Sequence, residues 1–88
     1  MTKYETLDAI KDKSWGAAFA ANIVLHQFSN PARKLKGILS LVNADHRVQV
    51  AWTKSGMSYI LVDGYRVEDD VLDRKDVVEF VEQGWARS

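Results

Sequence analysis

No cysteine occurs among the 88 residues, which excludes disulfides, thiolate nucleophiles and cysteine-ligated zinc and makes a reducing, cytoplasmic setting the expectation. With two histidines, His26 and His46, and no HExxH spacing, a metal site is not expected either. The single proline, Pro31, makes the clearest break in the chain, and no repeat, linker or low-complexity segment accompanies it. The net charge is zero, which counts against a nucleic-acid binder. No apolar run is long enough to span a bilayer. The one that comes nearest follows Glu5, Asp8 and Asp12, which do not suit a signal peptide, so no membrane association is expected. GxSxG, P-loop and GxGxxG motifs are absent too. Neither catalysis nor a cofactor is therefore expected.

What is present is a globular composition, 47% hydrophobic and 27% charged, in one domain expected over residues 1–88. A chain of this length buries roughly 60–65% of its unfolded surface. Its most informative stretch is Ser14 to Phe28, SWGAAFAANIVLHQF, which is nearly apolar on every side of a helix. Such a helix has to be covered all round, by its own domain or by a partner. At about 100° per residue, Ala17, Ala21, Val24 and Phe28 form one seam, which reads as core. Opposite lie Trp15, Phe19, Asn22 and His26, two large aromatics with an amide and an imidazole, a composition suited to interfaces. Two placements are open for this stripe: under the sheet with its polar groups bonded to backbone, or exposed as a recognition patch.

The remaining elements follow from local signals. Thr2 with Glu5 forms a capping box, and Tyr4, Leu7 and Ile10 share a face, so a first helix starts at once. Ser14 can cap a second helix, or one long helix can kink at Gly16. Asn30 as cap and Pro31 at the first helical position open a helix whose Leu35, Ile38, Leu39 and Val42 repeat at i, i+3, i+4 and i+7 and which ends near Asn43. The period then changes to two. Val48, Val50 and Trp52 alternate with Arg47, Gln49 and Thr53, MSYILV is apolar on both faces as in a middle strand, and Asp63-Gly64 predicts a type I′ hairpin into YRVED. A last helix is expected with Asp73 as its cap, Asp76 in its first turn, Leu72 stapled onto Val77, and Val77, Phe80, Val81 and Trp85 on its buried face, ending near Gly84. The predicted class is α+β: two or three N-terminal helices, a three-stranded antiparallel β-meander and a C-terminal helix.

Charge is unevenly spread. Residues 1–62 carry eight Lys and Arg against four acids and residues 63–88 four against eight, giving +4 and −4. Arg33, Lys34 and Lys36 occupy the first two turns of their helix, against the macrodipole, which invites either pairing with the acidic C-terminal segment or an anionic partner. The carboxylates Glu68, Asp69, Asp70, Asp73 and Asp76 lack the spacing of a calcium loop and are explained by a strand end and a helix start. Of the three tryptophans, Trp52 and Trp85 read as core and Trp15 as exposed.

The expectation is a non-enzymatic regulator, inhibitor or adaptor that binds another protein through Trp15, Phe19, Asn22 and His26, with homodimerisation through the apolar helix as a variant. The alternative is a winged-helix-like nucleic-acid binder, with the Pro31–Asn43 helix in the major groove, Arg33, Lys34 and Lys36 on phosphates and Lys54 at the wing tip.

Overall fold

Capping chemistry sets the first two helices. A computed structural model describes residues 2–85. In it, α1 (Lys3–Lys13) begins with the full capping box: Thr2 Oγ1 accepts from the Glu5 N–H, and the Glu5 carboxylate accepts from the Thr2 N–H at 3.0 Å. That backbone hydrogen bond holds Glu5 below the usual carboxylate range. Ser14 then takes an extended conformation, ends α1 and accepts from the Ala17 N–H, so α2 (Trp15–Gln27) is a separate helix rather than a kinked continuation. The break falls at Ser14, not at Gly16.

α3 (Ala32–Asn43) follows, with Pro31 itself at the cap position and Asn30 one residue further out. Its fully buried Leu35, Ile38 and Leu41 make it the centre of the core, each contributing about 1.5–3 kcal/mol. Three strands form an antiparallel sheet in the order β1-β2-β3, with β1 Val48–Trp52, β2 Ser58–Val62 and β3 Tyr65–Val67. Val48 faces Val62, Val50 faces Ile60, and Ile60 faces Val67, so these residues share the inner face. Asp63 (φ 53°) and Gly64 (φ 87°) make the β2–β3 turn, the left-handed pair that a type I′ hairpin requires. The compact α+β domain is thus three helices, a three-stranded meander, a 3-10 helix (Asp69–Asp73) and α4 (Val77–Glu82). One continuous apolar cluster joins all of these layers. No helix among the described residues is long and apolar enough to cross a membrane.

Three details of the C-terminal third depart from the sequence reading. Asp73 closes the 3-10 helix instead of capping α4, because its carboxylate is taken by Lys34 at 2.8 Å. Asp76 is the cap residue of α4, but its side chain bonds the Arg74 guanidinium at 2.8 and 3.1 Å rather than the helix N–H groups. Trp85 is 60% exposed, past the end of α4 at Glu82, and meets the Phe80 ring edge to face. Tyr4 is likewise exposed, one turn ahead of the buried Leu7 and Ile10.

Gly37 lies where α3 meets the 3-10 helix. A Cβ there would overlap the Leu72 carbonyl oxygen and stand 3.1 Å from its carbonyl carbon, so only glycine lets the fully buried Leu72 seat against α3. His46 supplies the other tie. Its Nδ1 lies 2.6 Å from Asp63 and its Nε2 2.8 Å from Glu82, joining the β2–β3 turn to α4.

Candidate functional site

α2 is buried along one face and open along the other. Ala17, Ala18, Ala20, Ala21 and Val24 are buried, their small side chains allowing close packing, and Phe28 at the end of the seam is half-buried beneath the Lys34 ammonium, 4.5 Å from its ring centre. The remaining stripe is open. Trp15 is 73% exposed and Phe19 64% exposed; His26 is exposed and Asn22 partly so. Of the two placements open for the stripe, the structure has the surface one: its own domain does not cover Trp15, Phe19 and His26, and Asn22 is partly buried.

A neighbour enlarges it. Trp52 is 57% exposed, which corrects its reading as core. Alternation does place it on the inner face with Val48 and Val50, but it is the last residue of β1, it pairs across to the small Ser58, and it stands beside α2 rather than beneath it. A hollow of about 320 Å³ between α2 and β1 is lined by Gly16, Phe19, Val50 and Trp52. A second, of about 380 Å³, lies on the other flank of Trp52 and is lined by Asn22, Ile23, His26 and Ser58. Gln27 Nε2 donates to Ser58 Oγ at 2.9 Å and fixes the end of α2 to β2 at that point. Trp52 is thus a ridge between two grooves, with Phe19 bordering one and Asn22 and His26 the other.

The strand beside this ridge, β1, is an edge of the sheet. Arg47 C=O accepts from Asp63 N–H and Thr53 N–H donates to Met57 C=O, so the odd-numbered residues of β1 face β2 across the register. Val48, Val50 and Trp52 consequently turn their N–H and C=O groups away from β2, and the carbonyl of the buried Val48 lies beside Gly16 of α2. The face combines large aromatic surface, two side-chain polar groups and an edge strand, the ingredients of protein recognition.

The basic residues of the alternative reading are not brought together. Lys34 is drawn inward to Asp73 and Phe28, the internal pairing of the two charge poles. Arg33 and Lys36 remain exposed on α3, and Lys54 sits in the β1–β2 turn. Arg33 and Lys36, but not Lys54, line a hollow with two basic residues the sequence did not single out, Arg74 and Lys75. Among the described residues no group of three or more His, Asp or Glu is placed to hold a metal ion. Compared with protein-family models, curated proteins and solved structures, the chain matches none. The class that fold and face define is a small α+β domain with an exposed aromatic ridge.

Proposed function

We propose that this protein is a non-catalytic regulator, inhibitor or adaptor that binds another protein through the ridge formed by Trp15, Phe19 and Trp52, with Asn22 and His26 supplying polar contacts. The observation that carries this reading is the exposure of three large aromatics, two of them sharing a groove, in a domain that has a complete apolar core without them. Leaving such surface in water favours association, and buried aromatics dominate the energetics of binding. Self-association through the same face belongs to the same proposal, as a homodimer.

The test separates surface from core. Trp15→Ser combined with Phe19→Ser removes two exposed side chains, so the unfolding free energy from urea titration should change by no more than about 0.5 kcal/mol per site. Binding to a captured protein partner, or dimerisation seen by sedimentation, should weaken by roughly 1,000-fold, in line with ~2 kcal/mol per hot-spot aromatic. Unaltered binding by this double variant would refute the assignment.

A further inference from the structure

A second site lies where α3 faces the segment between the 3-10 helix and α4. Gly37 lets the Leu72 backbone close onto α3, and the chain then turns so that Arg74 and Lys75 stand across a hollow of about 400 Å³ from Arg33 and Lys36, with Ser40 also on its wall. Three carboxylates are nearby, and Asp73 is itself on the wall of the hollow. Asp73 is bonded by Lys34, and Asp76 by Arg74, whose guanidinium also stacks 4.1 Å over the Phe80 ring and is further held by the field of Asp70. Arg33, Lys36 and Lys75 have no ion pair among the described residues. Three uncompensated cations therefore border one hollow, and two of them sit in the first turns of α3, where the helix dipole opposes them.

We infer that this hollow binds a phosphate group. A carboxylate offers one negative charge and two oxygens. Phosphate near neutral pH carries close to two charges and at least three acceptor oxygens, enough to meet all three cations and the Ser40 hydroxyl together. The site shares no residue with the aromatic ridge, so either can fail without the other.

The experiment is an amide chemical-shift titration of the whole chain with inorganic phosphate at low salt, with chloride at matched ionic strength as the control. Saturable shifts confined to residues 33–40 and 73–77 are expected. Binding should weaken about tenfold or more in Arg33→Ala/Lys36→Ala, whose exposed positions leave the fold intact, and stay unchanged in Lys54→Ala. A short DNA duplex added to the phosphate-loaded protein distinguishes the source: displacement assigns the site to a nucleic-acid backbone, and retention to a small phosphorylated molecule. Shifts that never saturate, that chloride reproduces, or that map elsewhere overturn the proposal, as does duplex binding through Lys54 with the hollow untouched.

Discussion

Gly37→Ala is expected to destabilise the protein by about 2–4 kcal/mol, although alanine is the better helix former by roughly 1 kcal/mol. The added methyl group would occupy the space of the Leu72 carbonyl, a backbone group that cannot swing aside like a side chain. Either α3 or the 3-10 helix must move, and both are anchored by buried residues, Leu35 and Ile38 on one side and Val71 and Leu72 on the other. Gly16→Ala is the control. Its Cβ would lie 3.5 Å from the Val48 carbonyl oxygen, an ordinary contact, so that substitution should be neutral or stabilising by up to about 1 kcal/mol. Urea unfolding of the two variants measures the contrast, and equal effects would contradict the close approach at Gly37.

His46→Ala should cost about 1–2 kcal/mol at mildly acid pH and much less in alkali. Ionised carboxylates only accept hydrogen bonds, so an imidazole held between Asp63 and Glu82 satisfies both only when both ring nitrogens carry protons. The hydrogen bond to Asp63, then that to Glu82, raises the His46 pKa above its ordinary 6.5, against the effect of burial. Because the folded value is the higher one, the stabilisation is complete below 6.5 and is lost as pH rises through the raised folded value. Asp63 sets the acid limit. Burial pushes its carboxyl up, but the Arg47 N–H and the imidazole outweigh this and bring it below its ordinary 3.8, so its contribution is lost as pH falls through that lowered value. Stability of the wild type minus that of His46→Ala, followed from acid to alkali, should therefore be largest between these limits. A difference independent of pH would show that His46 acts by packing alone.

How much of this was legible in the sequence depends on the range of the signal. The Thr2–Glu5 box, the Ser14 cap and the Asp63-Gly64 turn are set by residues within four positions of one another; the first and last appear as the sequence predicts, and the second is one of the two outcomes it left open. The stripe on α2 was also visible, but its exposure was not. Periodicity assigns a face and does not say how far the neighbouring layer extends along it. Trp52 shows the same limit: alternation names its side of the sheet, while its position at the end of β1 decides its exposure. Asp73 and Asp76 fit cap positions locally and were claimed instead by Lys34, far away in the chain, and by Arg74. The hollow between α3 and the α4 approach depends on Gly37 meeting Leu72, a contact across 35 positions that no local pattern encodes.

Contact-dependent crosslinking tests most directly the proposal that this protein meets a protein partner at the Trp15–Phe19–Trp52 ridge. A photoreactive amino acid replaces Phe19 in one variant and the exposed Asp8, on α1, in another, and both are irradiated in living cells. Crosslinking from position 19 to one protein species, or to a second copy of the chain, with little from position 8, is the predicted result. No adduct at position 19, or the same adducts from both positions, would contradict the account.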